Sequence, residues 1–557
     1  MLKSVLAAMP SYTMSCFKIP NNLCKRIQSA LTRFWWDTKA EKKKMCWVAW
    51  KKLTKSFKDG GLGFRDIQTF NNALLAKISW RLLKNPSCLL ARVLLGKYCK
   101  FSSFTDCSVP NSASHGWRSI CLRRDLLKPH LGRLIGAGLS TPVWRCPWLS
   151  LTVPQAPMGP PTDASHNWLV SDLLNPTSLD WNRTLIKKLF PIYESDILRL
   201  KPSKTGAPNA WAWLPNLDGI YTTKSGYFHA LQDSESLPPL PAPVQSGSST
   251  PVPFNWKSSI WSVKSSPKTK LLLWKMAQNA LPVGENLAQR QVLDSLKCPH
   301  CDQRETITHL FFTCPFAAQI WRSAPFSSSF NPDLILSTTK GITAANNLIC
   351  LPPTGIGTGP LSPWIFWPIW TSRNQLIFSK KGTPPAEALG LAIIRAKEWQ
   401  QAQALLALAR SSKSRIPKPL LSLNPFTCFT DASWKPDSRT GLGWIFKDRQ
   451  DRTFSKGSLS ISHVGSPLMA EALATLIAIR VAIESALTHI SFASDSLLLV
   501  KALNSKLHPK ELHRILYGIL ALSSNFISCS FNFTPRENNH SADALAKASL
   551  LSSCMET

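Results

Sequence analysis

The chain has 557 residues, enough for three or four domains of ordinary size, and a formal charge of +33 from 65 Lys and Arg against 32 Asp and Glu. Such an excess of positive charge points to a polyanionic partner, most often nucleic acid. Fifteen cysteines without regular spacing argue against a secreted disulfide framework, and no apolar run is long enough to span a bilayer. We therefore expect an intracellular protein of a reducing compartment, the nucleus or the cytoplasm, with no signal peptide, transmembrane segment, membrane partner or small-molecule cofactor.

The positive charge is uneven along the chain. Residues 1–100 hold 20 Lys and Arg but 4 Asp and Glu, whereas residues 424–557 hold 13 and 11. The surface that binds a polyanion and the surface that carries chemistry are therefore expected in different parts of the chain. The basic first twenty residues could also indicate a mitochondrial targeting peptide, but the same pattern continues well past any cleavage point.

Residues 1–130 are predicted to be mostly helical. Apolar residues recur there at helical spacing, namely Leu23, Ile27, Ala30, Leu31 and Phe34, and again Leu74, Leu75, Ile78, Leu82 and Leu83. Between these sets, the basic run Lys42, Lys43 and Lys44 lies among tryptophans. Lysines beside aromatic rings can hold a phosphate backbone while the rings pack on bases, although a helical core with a solvated basic face explains the composition equally well.

A resemblance bears on this choice. The stretch from Ala8-Met9-Pro10-Ser11-Tyr12 to Gly96-Lys97-Tyr98 is similar to the segment that follows the polymerase core in plant LINE-type reverse transcriptases, which favours nucleic-acid binding by the three lysines. A polymerase strand needs adjacent aspartates to hold two metals, and no Asp-Asp pair occurs in the sequence. We therefore expect the C-terminal part of a longer element protein, unable to synthesise DNA unaided.

Three predicted segments connect the regions that carry chemistry. Residues 131–233 form a connecting region whose tryptophans occur singly amid apolar neighbours, so they are more often core than ligand contacts. Residues 234–253, rich in Pro, Ser and Gly, are predicted to be a linker. Residues 326–422 form a bridging region with a helix over Pro385–Ala409, loops that include Arg415–Pro419, and three tryptophans expected to pack between domains: Trp364, Trp367 and Trp370.

Residues 254–325 contain a second candidate site, with the spacing Cys298-x₂-Cys301-x₇-His309-x₄-Cys314. Three thiolates and one imidazole suit one tetrahedral zinc ion, and four protein ligands imply a structural role; the alternative is a cysteine-rich turn without metal. Such a site would hold Leu310-Phe311-Phe312 against the helical piece Leu271–Ala280. His300 is the weaker ligand candidate, since the turn sets its direction. The surroundings, including Pro267-Lys268-x-Lys270, resemble the zinc-binding domain of plant reverse-transcriptase-like proteins.

Residues 423–551 hold four carboxylates in apolar settings. Residues 428–430 form an apolar run that leads into Asp431, and residues 441–446 are predicted as the second arm of a hairpin. A long helix is predicted over Pro467–Leu487, with Glu471 in its first turn.

The other two carboxylates follow later in the same segment. His489–Ala493 is predicted as a short strand that ends just before Asp495. Ile527–Thr534 alternates like another strand, and a helix starts at Ser541 with Asp543 in its first turn. A buried acid without a partner would cost several kcal/mol, so four converging carboxylates indicate bound cations.

The physical interpretation is a site for phosphodiester chemistry. Hard cations such as Mg²⁺ prefer carboxylate oxygens, and two of them about 4 Å apart can activate water and stabilise a leaving oxygen. The motifs Thr430-Asp431-Ala432-Ser433-Trp434, Ala470-Glu471-Ala472, Ser494-Asp495-Ser496 and Arg536-x-x-Asn539-x-x-Ala542-Asp543 resemble the ribonuclease H domain of plants and plant non-LTR retrotransposons. The resemblance implies a ribonuclease H-like α/β domain, a mixed sheet flanked by helices, within a multidomain α/β protein that also has a small zinc-binding module and a mostly helical N-terminal region.

The resemblance also implies roles for individual residues. Asp431 would bridge two Mg²⁺ ions, Asp495 would ligate the ion that activates water, Glu471 would bind the second ion and contact the 2′-hydroxyl of RNA, and Asp543 would complete the coordination. Arg536 and Asn539 fill the loop where bacterial relatives carry a mobile histidine, and we expect both to bind nucleic acid. His540 is not assigned the histidine's role. The expected activity is Mg²⁺-dependent hydrolysis of the RNA strand of an RNA–DNA hybrid; the alternative is a catalytically dead nucleic-acid-binding remnant of a retroelement.

Overall fold

A computed structural model of the chain describes residues 1–37, 43–159, 161, 164–235, 254–293, 295–357, 359–411, 424–436, 439–505 and 508–552. The predicted contact residue Lys42, nearly all of the predicted linker 234–253 and the predicted loop 415–419 lie outside the described residues. None of the helices in the described ranges is both long enough and apolar enough to cross a membrane.

The chain divides into two compact units. The first consists of Met1–Pro10, Ile19–Gln68 and Pro238–Lys418, and the second of Ser11–Lys18, Thr69–Leu237 and Pro419–Thr557. The predicted zinc-binding module thus lies in the first unit, together with most of the basic N-terminal region. The predicted connecting region and the four candidate carboxylates lie in the second unit.

Helices predominate among the described residues, and most of the strands follow residue 425. The helices are α1 (Ser11–Cys16), α2 (Asn21–Trp36), α3 (Trp50–Thr54), α4 (Ile67–Lys84), α5 (Leu89–Tyr98), α6 (His115–Leu127), α7 (Arg183–Leu189), α8 (Glu194–Arg199), α9 (Thr223–Glu235), α10 (Pro267–Ala277), α11 (Gly284–Ala288), α12 (Pro315–Ser323), α13 (Thr338–Asn346), α14 (Ser362–Ser379), α15 (Pro385–Ser411), α16 (Pro467–Glu484), α17 (Leu497–Asn504), α18 (His513–Ser523) and α19 (His540–Ser552). The strands are β1 (Leu131–Leu134), β2 (Ala210–Trp213), β3 (Phe426–Trp434), β4 (Thr440–Asp448), β5 (Thr453–Ile461), β6 (His489–Ser494) and β7 (Ser528–Phe533).

Several helices of the first unit start where the sequence supplies a cap or a proline. Ser266 caps α10 by accepting the amide N–H of Thr269 at 3.3 Å, and Pro267 occupies the first helical position, where its missing N–H costs nothing. Pro315 starts α12 in the same way, directly after Cys314. The prediction of a helix over Pro385–Ala409 is confirmed by α15.

The connecting region of the second unit is organised by buried tryptophans. Strands β1 and β2 pair antiparallel, with Leu131 opposite Trp213. Trp148, Trp181 and Trp213 are buried, and the first two belong to a core shared with Ile186 and Phe190. The prediction that these tryptophans belong to the core is confirmed.

A five-stranded mixed sheet of order β5-β4-β3-β6-β7 forms the centre of the C-terminal segment. Strands β3, β4 and β5 are antiparallel neighbours, whereas β6 runs parallel to both β3 and β7. Residues alternate between the two sheet faces: Leu442 and Phe446 pack into the core that contains α16, while Gly441 and Gly443 face α19. This confirms the predicted mixed sheet flanked by helices.

The helix that carries Glu471 begins at the predicted residue, Pro467, and ends at Glu484, three residues before the predicted end. Ser466 is the N-cap of α16, accepting the amide N–H of Met469 at 3.1 Å, and Pro467 is the first helical residue. Glu471 therefore lies just beyond the first turn, not within it as predicted. Asp543 lies in the first turn of α19, as predicted.

Candidate functional site

Three of the four predicted carboxylates come together at one end of the parallel strands. Asp431 lies in β3 opposite Gly443, Asp495 directly follows β6, and Glu471 projects from α16. One oxygen from each of these three side chains lies within 4.8 Å of the other two. Because β3 and β6 are parallel neighbours, their ends meet at one sheet edge, and this brings Asp431 and Asp495 together.

Hydroxyl groups fix α16 against β3 beside this cluster. The Oγ1 atoms of Thr430 and Thr475 are 3.2 Å apart, and Thr475 Oγ1 also donates to the main-chain carbonyl of Glu471 at 3.1 Å. Both threonines are fully buried. The residue before Asp431 is therefore tied to the helix turn that carries Glu471.

Burial and mutual repulsion make it unfavourable for the three carboxylates to be ionised together when no cation is bound. Burial raises the pKa of Asp431 to about 6, and the nearby charges of Asp495 and Asp543 act in the same direction. Burial, and then the charges of Asp431 and Asp495, raise the pKa of Glu471 well above its ordinary value. Like charges held close together in a low-dielectric setting cannot all ionise without a counter-charge.

The donor set fits hard divalent cations. Glu471 Oε2 is buried and has no hydrogen-bond partner among the described residues, so one carboxylate oxygen lacks the partner that burial normally demands. Oxygen-only ligands of this kind are those that Mg²⁺ prefers. A cation would satisfy both the unpaired oxygen and the accumulated negative charge.

Asp543 lies apart from the other three acids. Its Oδ2 accepts a hydrogen bond from Lys547 Nζ at 2.6 Å, one turn later in α19, and its carboxylate is not within the close group. It is near enough for its charge to act on Asp431. Since the pair is partly exposed, a bound cation could compete for Asp543 at a cost of a fraction of a kcal/mol.

The predicted nucleic-acid contacts fall into two kinds. Arg536, in a 3₁₀ turn before α19, and Lys43 and Lys44 are exposed. Asn539 is only 1% exposed, and its side-chain amide donates to the carbonyl of Thr430 at 3.0 Å. The predicted contact of Asn539 with nucleic acid is therefore corrected: its amide is used internally, to attach the start of α19 to β3.

The four predicted zinc ligands converge in the first unit. Cys298, Cys301, His309 and Cys314 each offer a ligand atom within 4.8 Å of the others. Cys314 Sγ is 3.9 Å from the sulfurs of both Cys298 and Cys301, and Cys301 Sγ is 3.2 Å from His309 Nε2. A tetrahedral zinc site with Zn–S bonds of about 2.3 Å has an S···S edge of about 3.8 Å, so this spacing fits zinc and is far longer than a disulfide.

The local backbone explains how these ligands meet. A tight turn closes between the first two cysteines, since Asp302 N–H donates to the carbonyl of Cys298 at 2.9 Å and Asp302 has a positive φ of 59°. His309 opens a π-helical turn, and Cys314 ends it as the residue before α12. The Nδ1 atom of His309 lies 3.4 Å from Thr313 Oγ1, leaving Nε2 for the cluster.

The hydrogen bond between the thiols of Cys298 and Cys314 shifts the pKa of both groups. A hydrogen bond with Cys314 and burial raise the pKa of Cys298 to about 12, while the hydrogen bond with Cys298 lowers the pKa of Cys314. Thiolates bind zinc, and a divalent cation would stabilise all three in the ionised form. His300 is not part of the cluster and instead stacks on Phe316, with ring centroids 4.2 Å apart.

Aromatic rings surround the two phenylalanines that lie between the zinc-ligand candidates His309 and Cys314. Phe311 and Phe312 are fully buried and pack their rings on Phe366 of α14, and Phe312 also stacks on Trp321 of α12. We expected Leu310-Phe311-Phe312 to lie against residues 271–280; the rings that contact Phe311 and Phe312 belong to α14, α12 and Phe330.

A buried ion pair that sequence patterns did not reveal supports the same module. Glu305 Oε1 and Oε2 accept hydrogen bonds from Arg373 Nε and Nη2, both at 2.8 Å, and Glu305 Oε2 also accepts the amide N–H of Gly284 at 2.6 Å. Both side chains are almost completely buried. The two partners are 68 residues apart, so spacing could not have paired them.

Two family models match the chain. Residues 429–549 match the reverse transcriptase-like family, and residues 221–321 match the family described as zinc-binding in reverse transcriptase. The first range contains all four candidate carboxylates, and the second contains the four candidate zinc ligands. The second match begins well before residue 254, where the module was predicted to start.

Two solved structures are similar to part of the chain. Ribonuclease H1 of Halobacterium salinarum is 23% identical, with a TM-score of 0.22, over 22% of this chain and 96% of that one. The N-terminal ribonuclease H domain of a Mycobacterium tuberculosis protein is 18% identical, with a TM-score of 0.23, over 24% of this chain and 98% of that one.

Two Arabidopsis thaliana proteins are similar in sequence. An uncharacterized mitochondrial protein is 48% identical over 152 residues, which cover 27% of this chain and 99% of the relative. A protein named "Putative ribonuclease H protein" is 28% identical over 334 residues, which cover 57% of this chain and 50% of the relative, so the matched segment spans half of that relative's length. The chain belongs to the plant retroelement-related family that these proteins represent, and it carries a zinc-binding domain of the reverse-transcriptase type ahead of a ribonuclease H-like domain.

Proposed function

We propose that residues 423–551 form a Mg²⁺-dependent endonuclease that hydrolyses the RNA strand of an RNA–DNA hybrid. The observation that carries this proposal is the convergence of Asp431, Glu471 and Asp495 around a buried, unpaired carboxylate oxygen. Three acids at this spacing destabilise the fold unless cations neutralise them, so selection for stability alone does not explain them.

Each residue has a proposed task. Asp431, Glu471 and Asp495 would hold the cations, and Asp543 would join them once it leaves Lys547. Bound Mg²⁺ would supply activation of a water molecule and stabilisation of the leaving oxygen. Glu471 would also contact the 2′-hydroxyl that distinguishes RNA from DNA, and exposed Arg536 would bind the phosphate backbone near the cluster.

A cleavage assay tests the proposal. The full chain is incubated with Mg²⁺ and a labelled RNA–DNA hybrid, double-stranded RNA or double-stranded DNA. We expect only the RNA strand of the hybrid to be cut, and Asp431→Asn to lower the rate by at least about a thousandfold. Asp451→Asn removes the same charge from an exposed site of the same domain and is expected to change the rate less than twofold. An uncut hybrid, or equal cutting by Asp431→Asn, would contradict the proposal.

A second candidate function is nucleic-acid binding without cleavage, as expected of a decayed element. The observation that favours it is the ion pair that holds Asp543 away from the other three acids. If the pair is an obstacle, Lys547→Gln should increase the cleavage rate several-fold at low Mg²⁺ concentration. Steeply salt-dependent binding of the hybrid with no cleavage by either protein would favour this second function.

We propose a structural zinc ion for the first unit, held by Cys298, Cys301, His309 and Cys314. The spacing of the four ligand atoms and the match to a zinc-binding family support it. The boundaries of the six predicted segments are likewise proposed, but residues 1–130 are divided between the two compact units and are not proposed as a single domain. Limited proteolysis within residues 234–253 and 412–423 would test them.

A further inference from the structure

A groove in the first unit has features of a binding site that the proposed nuclease does not use. It lies between the end of α2, the segment Lys44–Trp47, α10 and α14, and it encloses about 730 Å³. Its walls carry an unusual number of large rings: Trp35, Trp36, Trp47, Trp367 and Trp370. We call this feature the tryptophan groove.

The rings are not all used for packing. Trp36 is buried, but Trp35, Trp47, Trp367 and Trp370 are each partly exposed. Leucines of α10 and the residues that follow it, such as Leu272 and Leu281, form an apolar floor. Each of these four rings already contacts a residue of the unit, namely Phe64, Arg290, Lys268 and Phe311 in that order. The part of each ring that stays exposed is apolar surface that a ligand outside the unit can cover.

The groove is also cationic. Lys44, Lys268 and Lys275 line it, and no Asp or Glu is among its described lining residues. Lys268 Nζ lies 4.2 Å from the ring centroid of Trp367, and Lys275 Nζ lies 5.6 Å from that of Trp36. Both of these lysines are thus held beside ring faces.

The lysines of the tryptophan groove repel one another, and the nearby carboxylate of Asp37 already has other partners. Burial, and then the charge of Lys44, lower the pKa of Lys275, as expected for a buried cation with another cation nearby. The carboxylate of Asp37 is already occupied, since it accepts the main-chain N–H of Lys44 at 2.7 Å and lies 3.9 Å from Arg33. An anionic ligand would relieve the repulsion between the lysines.

We infer that the tryptophan groove binds single-stranded nucleic acid, with unpaired bases stacked on its exposed rings and phosphates beside Lys268 and Lys275. Flat rings alternating with cations match the alternation of bases and phosphates in a single strand. A duplex fits less well, because its bases are already stacked and paired. The inference deepens the nucleic-acid binding proposed above, but it does not depend on cleavage.

Binding can be measured separately from cleavage. The full chain carrying Asp431→Asn, which is expected not to cut, is titrated into a fluorescently labelled single strand of about 12 nucleotides, within the range of known single-strand sites, and into the matching duplex. Lys268→Gln/Lys275→Gln should weaken single-strand binding about tenfold and reduce the salt slope by about 1.4, because each lost phosphate contact is worth about 0.7. Trp367→Leu should weaken binding by at least about fivefold with an unchanged salt slope, because it removes stacking and no charge.

The matched control removes two lysines elsewhere in the same unit. Lys380→Gln/Lys381→Gln, at the exposed end of α14, should change the affinity less than twofold. Equal weakening by the control and the groove variant would overturn the inference, since it would show a general charge effect. The inference would also be overturned if the duplex bound more tightly than the single strand. Binding of an apolar peptide without binding of the single strand would overturn it as well.

A measurement without variants covers the case in which a substitution disturbs the fold. A single strand containing 5-iodouridine is photo-crosslinked to the chain, and the modified peptides are identified by mass spectrometry. We expect crosslinks at Trp35, Trp47, Trp367 or Trp370. Crosslinks confined to other parts of the chain would refute the assignment, whether or not the hybrid is cleaved in the separate assay.

Discussion

Asn539 donates its side-chain amide to the main-chain carbonyl of Thr430 at 3.0 Å, one residue before Asp431. The main-chain carbonyl of Asn539 in turn accepts the N–H groups of Ala542 and Asp543, at 3.1 Å each. One buried side chain therefore attaches the start of α19, which carries one candidate ligand, to the strand that carries another.

Replacing Asn539 should impair turnover through this attachment. Asn539→Ala leaves the Thr430 carbonyl without this partner, and we expect a loss of about 1–3 kcal/mol in stability and about a tenfold lower kcat with little change in KM. The exposed neighbour Asn538 is the matched control, and Asn538→Ala should leave both quantities unchanged. A change in KM alone would instead return Asn539 to the role of substrate contact.

The carboxylate cluster predicts a trade between stability and metal binding. Burial and the charge of Asp495 raise the pKa of Asp431 to about 6 from an ordinary value near 3.8. Because the pKa of Asp431 is higher in the folded state than in the unfolded state, the contribution of this residue to stability is fully present below pH 3.8. That contribution is lost as the pH rises through 6. At pH 7 without metal, Asp431→Asn should therefore raise the free energy of unfolding by about 1–3 kcal/mol and so raise the melting temperature.

Thermal unfolding with and without Mg²⁺ measures this effect. Mg²⁺ should raise the melting temperature of the unsubstituted chain and leave that of Asp431→Asn unchanged, because ligand binding stabilises only a protein that binds it. Asp451→Asn, whose acid is exposed, should behave like the unsubstituted chain. If Asp431→Asn were less stable without metal, the cluster would not be under the electrostatic strain described above.

Much of the C-terminal fold could be predicted from local patterns. Residues 428–430 and 489–493 lie in strands and residues 467–484 form a helix, as predicted, because each segment has an apolar period that matches its geometry; the helix was predicted three residues too long, to Leu487. The edge strand β5 was not predicted. Most of its residues are exposed, so the strand lacks the apolar alternation that marks a half-buried strand.

The details of the site depended on contacts that periodicity cannot show. Asn539 was expected to bind nucleic acid because it fills the loop where bacterial relatives carry a mobile histidine, yet it is buried and donates a hydrogen bond to a residue 109 positions away in the sequence. Lys547 was not considered, although its spacing of four from Asp543 on a helix is a recognisable signal for an ion pair. Gly443 was noted only as part of a hairpin, but α19 approaches β4 so closely there that a Cβ would lie 2.7 Å from Ala546 N.

The zinc module should lose both metal and stability when one ligand is removed. Cys298→Ser replaces a thiolate with a poor zinc ligand, so we expect about one equivalent of zinc to be lost and the melting temperature of the chain to fall. A strong chelator should have the same effect on the unsubstituted chain. Cys350 is a free cysteine of the same unit, and Cys350→Ser should retain the metal. The prediction would be contradicted if protein purified from zinc-replete cells contained no zinc.

Lys201 should make stability depend on pH in the alkaline range. Its Nζ donates to the carbonyl of Ser462 at 2.8 Å, and burial, then the charge of Arg183, lower its pKa to about 8 from 10.5. A lowered pKa in a base means that the folded state holds fewer protons than the unfolded state between pH 8 and 10.5, so this residue's contribution to stability rises across that window by up to about 3 kcal/mol. Lys201→Met should lack this rise, whereas Lys188→Met, which changes an exposed lysine of α7, should keep it. Denaturant unfolding at several pH values from neutral to alkaline measures these differences. If the free energy of unfolding changed with pH in the same way for Lys201→Met and the unsubstituted chain, the pKa of Lys201 would not be lowered by burial.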